Sequence, residues 1–396
     1  MLYRFESYAL DSDRRELRLG GELVAVAPQV FDLILYLLRN RTRVVSKDDL
    51  LAAVWDGRIV SESALTTRLN AARHALGDSG ETQRLIRTLP RKGFRFVGDV
   101  REQGAISTSA GTSDDDPLRQ DIRYCRAVDG VRLAYATVGT GPRLLKAANY
   151  LNHLEYDWES PVTQHLLRGL GGIFTLLRYD ARGNGLSDRE AANVSFDAWV
   201  SDLESVADAA GWDRFPLMGM SQGCAVSIAY AVRHPERVSH LILYGSFARG
   251  RLVRAANDEQ REKINAMETL VRLGWGEENA AFRQMFTSQF VPGGSKEQID
   301  WFNELQRRTA SPECAARYFR ITNDIDVRAL LPKVKVPTLV MHLRDDAVHA
   351  FEFGREVAAG IPGAHFVPLP GKNHMPLEDD PAPVRMLSEI KRFLVG

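Results

Sequence analysis

The sequence is poor in cysteine, in long apolar runs and in net charge. Its 396 residues include only three cysteines, Cys125, Cys224 and Cys314, which lie far apart and without the spacing of a metal site. This pattern excludes a disulfide framework and indicates a reducing compartment. No apolar run reaches the roughly 18 residues that a membrane-spanning helix needs, and the first residues lack the order of a signal peptide. We therefore expect a cytoplasmic protein without a metal, a cofactor or a membrane contact.

The charge of the whole chain indicates no partner. Lysine and arginine total 51, as do aspartate and glutamate, so any affinity for nucleic acid must come from the local distribution of charge. The chain is also too long for one compact core. We divide it into a first domain at residues 1–100, a linker at 101–118 and a second domain at 119–396. The linker almost lacks large apolar residues, which predicts a flexible tether.

The first hundred residues combine short strands with three helices. Alternating runs between Asp/Gly turns predict a small N-terminal antiparallel sheet. Pro28 opens a first helix and Ser46 caps a second. A third helix begins near Ser61 to Ser63, and its buried stripe consists of Leu65, Leu69, Ala72 and Leu76. Residues 84–97 then predict two strands around a basic turn, which completes a winged helix-turn-helix, an α+β fold.

Three motifs occur here in the order of a known family: Ser46–Trp55, the helix ending Ala75-Leu-Gly-Asp78, and Leu85–Phe96. The segment resembles the C-terminal effector domain of OmpR/PhoB-type response regulators, which CadC-like regulators carry at the N-terminus. The resemblance implies that the third helix enters the major groove of double-stranded DNA while the wing touches the adjacent minor groove. The expected DNA-contacting residues are Thr66, Thr67, Asn70, Arg73, His74, Arg91 and Lys92. Which helix residues reach base edges stays open, with Arg73 as the best candidate for a base or a phosphate.

Local charge agrees with this interpretation. From Glu62 to Val97, seven basic residues stand against three acidic ones, a surplus of four in a neutral chain. An ordinary solvated hairpin could carry the same surplus, but three helices precede this one. The surplus therefore favours salt-dependent affinity for DNA phosphates.

Helical patterns alternate with apolar strands through residues 119–396, which predicts a mainly parallel sheet covered by helices. Within it, Gly219-x-Ser221-x-Gly223 ends an apolar strand and opens a helix, the context of a nucleophile elbow. The motifs that surround it are Asp180-x-Arg-Gly-x-Gly-x-Ser187, Arg344-Asp-Asp346 and Asn373-His374. The arrangement resembles the α/β-hydrolase family, in which nucleophile, acid and histidine follow in this order.

The resemblance implies a catalytic triad. Ser221 is the expected nucleophile and His374 the base that takes its proton, while a carboxylate orients the imidazole. Asp345 and Asp346 are both candidates for the acid. Family members tend to place a proline four residues after it, which favours Asp346, with Ala350 at the proline position.

An oxyanion hole and a lid complete the expected site. The hole needs two backbone N–H groups, which we assign to Gln222 and Tyr150, although many family members have His-Gly where this chain has Asn149-Tyr150. A helical insertion at about 248–325 is rich in aromatic residues and methionine and corresponds to the family's lid. Any one aromatic residue in such a segment more often packs in the core than lines a pocket. Together, however, these residues imply an apolar small-molecule site.

Three functions fit a DNA-binding domain joined to a hydrolase domain. The first is a transcription regulator, expected to be a homodimer, whose hydrolase domain senses and can hydrolyse an apolar ester-, lactone- or ketone-like ligand. The second is a serine hydrolase with an accessory DNA-binding domain. The third, a hydrolase fold kept only for dimerisation, gives no reason for an intact Ser221, Asp346 and His374. The winged helix favours the first, because an enzyme alone has no use for it.

Overall fold

A computed structural model of the chain describes residues 2–12, 15–24, 26–41, 43–55, 62–90, 92–98, 100–103, 118–277 and 281–396. The chain divides into two compact units, Met1–Asp114 and Asp115–Gly396. Most of the predicted linker lies outside the described residues. Among the helices that are described, none is both long and apolar enough to cross a bilayer.

The N-terminal unit contains the strands, the three helices and the hairpin expected of a winged helix-turn-helix. Its elements are β1 (Leu2–Phe5), β2 (Tyr8–Asp11), β3 (Glu16–Leu19), β4 (Glu22–Val24), α1 (Pro28–Arg39), α2 (Lys47–Trp55), α3 (Glu62–Ala75), β5 (Ile86–Leu89), β6 (Gly93–Phe96) and β7 (Arg101–Gln103). An antiparallel sheet has the order β4-β3-β2-β1-β7, and β5 pairs with β6 as the wing.

Local signals in the sequence explain where the helices of this unit begin and how they pack. The backbone N–H of Asp49 donates to Ser46 Oγ at 3.0 Å, and the N–H of Ser46 donates to Asp49 Oδ2 at 3.1 Å, a reciprocal cap that starts α2. The predicted stripe of α3 is buried in the core that it shares with α1; its members are Leu65, Leu69, Ala72 and Leu76.

A buried carboxylate fixes the chain between α3 and the wing. Asp78 accepts hydrogen bonds from the backbone N–H groups of Arg84, Leu85 and Ile86 at 2.8 to 2.9 Å, and from Thr82 Oγ1 at 2.9 Å. Burial alone would raise the pKa of Asp78, but these donors outweigh it and lower the pKa to about 2. The carboxylate therefore sets the position of the wing relative to α3.

The C-terminal unit is a sheet covered by helices. Its core elements are β8 (Asp121–Arg126), β9 (Arg132–Val138), β10 (Arg143–Lys146), α4 (Leu154–Trp158), α5 (Gln164–Ile173), β11 (Thr175–Tyr179), α6 (Phe196–Ala209), β12 (Phe215–Met220), α7 (Gly223–Arg233), β13 (Val238–Tyr244), β14 (Thr338–Leu343), α13 (Phe351–Gly360), β15 (His365–Leu369) and α14 (Pro381–Val395). The strand order is β15-β14-β13-β12-β10-β11-β9-β8. Strands β10 to β15 pair in parallel, whereas β8 and β9 pair antiparallel, so the predicted sheet is confirmed.

Helices fill the segment between β13 and β14, where the lid was expected. They are α8 (Arg251–Arg254), α9 (Asp258–Gly274), α10 (Ala281–Phe290), α11 (Lys296–Thr309) and α12 (Pro312–Asp324), and a short 3-10 turn, Leu331–Lys333, precedes β14. Strand β10 ends at Lys146, and β11 begins at Thr175, shortly after Ile173 ends α5.

Candidate functional site

Ser221 occupies a sharp turn between β12 and α7. Its φ of 51° lies in the left-handed region, and its backbone N–H donates to Tyr244 O at 2.8 Å. The two flanking glycines are required by close approach. A Cβ on Gly219 would lie 2.6 Å from Cys224 Cα, and one on Gly223 would lie 2.8 Å from Ala148 O. This geometry is that of the predicted nucleophile elbow, and it places the hydroxyl at the carboxyl edge of the sheet.

Asp346 and His374 follow the neighbouring strands β14 and β15 and are paired. Nδ1 of His374 lies 2.8 Å from Asp346 Oδ2, and both side chains are buried. The backbone N–H groups of Val348 and His349 donate to Asp346 Oδ1 at 2.8 and 3.0 Å. Asp345 is exposed instead. Of the two candidate acids, the structure thus pairs Asp346 with the imidazole.

The carboxylate is held in its ionised form. Burial alone would raise the pKa of Asp346, but the charge and hydrogen bond of His374 and the backbone N–H of His349 outweigh it. The pKa of Asp346 therefore lies below the usual range of a carboxyl. An ionised Asp346 keeps the proton of His374 on Nδ1, which leaves Nε2 able to accept a proton.

The hydroxyl of Ser221 faces a histidine that the sequence analysis missed. Ser221 Oγ lies 3.4 Å from His349 Nε2, and within the described residues no hydrogen bond joins it to His374. The rings of His349 and His374 lie edge to face with their centroids 5.1 Å apart. The structure thus places the hydroxyl of Ser221 beside His349, whose ring in turn lies against that of His374.

His349 lacks the features that make a histidine a strong base. Burial, followed by the neighbouring charge of His374, lowers the pKa of His349 well below that of free histidine. Among the described residues its buried Nδ1 has no hydrogen-bond partner, since Asp346 accepts from the backbone N–H of His349 and not from its ring. Its place three residues after the acid is the only signal in the sequence that could have pointed to it.

The expected oxyanion groups border the same cavity as the nucleophile. Gln222, directly before α7, and Tyr150, four residues after β10, line it together with Ser221. In the described part of the chain, neither backbone N–H donates to another protein atom. Leu151 next to Tyr150 has a φ of 61°, so strained backbone lies on both sides of the site.

A polar chain supports the loop that carries Tyr150. The ammonium of Lys146 donates to Asn149 Oδ1 at 2.6 Å, and Asn149 Nδ2 donates to Tyr150 O at 3.1 Å. Lys146 is buried, and burial lowers its pKa to about 8. These contacts hold the loop at the place where related sequences have glycine, so they compensate in part for its loss.

Two cavities meet at Ser221. The first has a volume of about 620 Å³, which includes solvent at its open mouth, and is lined by Gln222, His349 and residues of the lid. The second has a volume of about 590 Å³, measured in the same way, and is lined by His374, Lys146 and further lid residues. Tyr150, Ser221 and Phe290 border both. A carbonyl at Ser221 can therefore extend one substituent into each cavity.

Only part of the aromatic lid faces these cavities. Among the residues expected to line the pocket, the structure places Phe286, Phe290 and Phe319 at the first cavity and Phe302 at the second. Others, such as Trp275, are packed in the core, and Phe282 is partly exposed. The first cavity also carries arginine, asparagine and threonine side chains, so the prediction of a purely apolar site was incomplete.

The predicted DNA-contacting residues of the N-terminal unit separate into two groups. Thr66, Thr67, Asn70 and His74 are exposed on α3, and Lys92 is exposed in the turn of the wing. Arg91 lies outside the described residues. For the exposed group, contact with DNA stays a prediction.

The structure contradicts the prediction that Arg73 contacts DNA. It is buried, and its guanidinium donates to Ile86 O at 3.0 Å and to Thr88 Oγ1 at 2.8 Å, both on β5. Its spacing on α3 points it toward the wing, so the guanidinium joins helix to hairpin and is not free for a base or a phosphate. We therefore remove Arg73 from the DNA-contacting set.

Both domains match known families. Residues 150–381, more than half of the chain, match the family described as alpha/beta hydrolase fold. The chain belongs to the alpha/beta hydrolase fold family. In this hydrolase-fold protein, residues 21–96 also match the family described as transcriptional regulatory protein, C terminal. The two matches confirm the predicted winged-helix DNA-binding domain and the predicted hydrolase domain.

Relatives of the hydrolase domain cover it almost completely. The AB hydrolase superfamily protein YisY of Bacillus subtilis is 26% identical over 253 residues, 63% of this chain and 91% of that protein. The pyrrolizixenacetamide deacetylase of Xenorhabdus hominickii is 26% identical over 246 residues, 61% of this chain and 88% of that protein. A crystal structure of a hydrolase from Pseudomonas aeruginosa aligns with a TM-score of 0.58 at 24% identity, covering 70% of this chain and 99% of that one, which shows the fold alone.

Proposed function

We propose that this protein is a transcription regulator whose hydrolase domain binds and hydrolyses a small ester- or lactone-like ligand. The observation that carries the proposal is the 2.8 Å hydrogen bond between Asp346 and His374, on a sheet edge where Ser221 occupies the nucleophile elbow. A winged-helix domain in the same chain supplies the regulatory part. Neither a hydrolase alone nor a DNA-binding protein alone accounts for both features.

The chemistry follows from the geometry of the site. Ser221 Oγ turns from His349 toward His374 and attacks the carbonyl carbon while His374 Nε2 takes its proton. The electron pair of the carbonyl moves to its oxygen, which the backbone N–H groups of Gln222 and Tyr150 stabilise. When the carbonyl re-forms, the alkoxide leaves and takes the proton from His374. A water molecule, activated by the same imidazole, then hydrolyses the acyl-serine ester.

Regulation requires that the ligand, or the acyl-serine formed from it, bind two states of the protein with different affinity. A difference of about 1 to 3 kcal/mol between these states would change the affinity for DNA by roughly 5- to 150-fold. In this proposal the regulator acts as a homodimer on double-stranded DNA, with the exposed face of α3 in the major groove.

A serine hydrolase with an accessory DNA-binding domain is the second candidate. Two observations favour it: Asp346 and His374 are hydrogen-bonded as catalysis requires, and one relative is named as a deacetylase. The two candidates differ in what happens to DNA binding when the ligand is present.

One panel of assays separates them. Wild type and Ser221→Ala are tested for turnover of p-nitrophenyl esters and acyl lactones, and for binding to a DNA duplex selected from a random pool, with and without each ester. A regulator changes its affinity for DNA on addition of an ester that it also binds. Turnover in wild type with no change in DNA affinity supports the accessory-domain alternative, and no turnover of any ester contradicts hydrolysis.

A further inference from the structure

The first cavity contains several polar side-chain atoms that have no hydrogen-bond partner among the described residues. They are Tyr150 Oη, Thr322 Oγ1, Asn323 Nδ2 and His349 Nδ1, four of the buried unpaired polar atoms in the described part of the chain. Buried polar atoms in proteins are nearly always paired, and each unpaired one costs stability. Four such atoms around one cavity indicate a ligand with hydrogen-bonding groups of its own.

Arg251 adds a cation to this group. It is the first residue of α8, lines the cavity and is partly buried. Within the described part of the chain, its guanidinium makes no hydrogen bond and no ion pair. Burial lowers its pKa, as expected for a cation that has lost water and gained no acceptor. A planar fork of N–H donors in this condition suits a carboxylate.

The surroundings favour an anion, and Asn323 lines the same cavity as Arg251. A Cβ on Gly250 would lie 2.2 Å from Asn323 O, so the start of α8 is in contact with the end of α12. No aspartate or glutamate occurs among the described residues that line the cavity, and a second arginine, Arg254, does. Arg254 is already engaged, since it donates to Arg249 O and lies 4.0 Å over the ring of Phe353.

We propose that Arg251 and Asn323 form a carboxylate-binding subsite, so that the ligand of this domain is an ester with a free carboxylate at its far end. The inference rests on the proposed function for the ester, and the cavity supports both parts. Phe247, Phe286 and Phe319 supply apolar lining in the same cavity as Ser221, Arg251 and Asn323. The substrate class is thus a half-ester of a dicarboxylic acid, whose methylene chain lies against the aromatic rings.

The test compares each methyl half-ester, from succinate to suberate, with the dimethyl diester of the same acid. Wild type should hydrolyse at least one half-ester with a higher kcat/KM than its diester. Arg251→Met should lower that ratio by about 10- to 100-fold, because it removes a charge-assisted pair, and Arg251→Lys should restore part of it. Asn323→Leu should lower the ratio in the same direction. Arg320→Met, which removes an exposed cation on α12 that is paired with Glu268, should leave the ratio unchanged.

A binding measurement separates this inference from the proposed hydrolysis. In the Ser221→Ala background, calorimetry with the free dicarboxylates should show binding that Arg251→Met abolishes. If wild type hydrolyses no ester but this binding is seen, the hydrolase proposal fails and the subsite stands. If esters are hydrolysed through Ser221 without preference for half-esters, or if Arg251→Met lowers kcat/KM for half-ester and diester equally, the subsite is overturned.

Discussion

Ser221 Oγ lies 3.4 Å from His349 Nε2, while the carboxylate that orients a catalytic imidazole is bonded to His374. The hydroxyl and the Asp346–His374 pair are both present, but the hydroxyl contacts the ring of His349. The ring centroids of His349 and His374 are 5.1 Å apart, and we propose that a rotation about the Cα–Cβ bond of Ser221 brings the hydroxyl to His374 when a carbonyl binds.

The two histidines should have unequal effects on the rate. His374→Ala removes the base that Asp346 orients, so we expect kcat/KM for p-nitrophenyl butyrate to fall by at least about 1,000-fold. His349→Ala removes a neutral hydrogen-bond partner and should lower it by about tenfold or less. Steady-state kinetics of both variants measure the difference. A larger loss in His349→Ala would mean that His349 is the base and that the mechanism is wrong.

Lys146 should act on kcat through the oxyanion loop. Lys146→Met keeps the length of the side chain but removes the donor to Asn149, which bonds to Tyr150 O. Loss of one oxyanion donor costs about 100- to 1,000-fold, and loss of the support of one should cost less, so we expect kcat to fall by about tenfold with little change in KM. Lys296→Met, at an exposed lid position, is the matched control. An increase in KM alone would contradict a role in the transition state.

Lys92 and Arg73 should affect different properties. Lys92 is exposed in the wing, so Lys92→Ala should lower the slope of log affinity for DNA against log salt by about one, and Arg91→Ala is expected to do the same. Arg73→Ala should leave the slope unchanged but lower the free energy of unfolding by about 1 to 3 kcal/mol, because Ile86 O and Thr88 Oγ1 lose their donor. Fluorescence anisotropy at several salt concentrations and urea unfolding measure the two quantities. A reduced slope for Arg73→Ala would return it to the DNA-contacting set.

Asp78 should make the N-terminal unit sensitive to acid. Its pKa is about 2 in the folded unit and near 3.9 in an unfolded chain, so its contribution is complete above pH 4 and is lost as the pH falls toward 2. Asp78→Asn should lower the free energy of unfolding by about 2 kcal/mol at neutral pH and show a smaller further loss in acid. Hydrogen exchange at residues 84–86, whose amides bond to Asp78, reports on this unit within the full chain. Equal acid sensitivity in wild type and variant would contradict the assignment.

Much of the fold could be predicted because local and tertiary signals agree. The cap at Ser46, the stripe of α3 and the alternation of apolar strands with helices all appear in the structure as expected. The elbow was predictable for the same reason, since two glycines and a serine between a strand and a helix have one common geometry. The pairing of His374 with Asp346 rather than Asp345 also agrees with the favoured acid.

Arg73 was assigned wrongly and His349 was not predicted, because the sequence does not show in which direction a side chain points. Arg73 was assigned by its chemistry, and only the position of β5 shows that its guanidinium is used inside the domain. His349 gave no signal beyond its place three residues after the acid, because its approach to Ser221 depends on the path of the chain after β14.

The central claim is that Ser221 is a nucleophile served by the Asp346–His374 pair. It is tested most directly by reaction with a fluorophosphonate, followed by mass spectrometry of the digested protein. The account predicts one modified residue, Ser221, no modification in Ser221→Ala, and a rate of modification in His374→Ala at least about 100 times lower than in wild type. Absence of modification in the folded wild type, or modification at another residue, would contradict it.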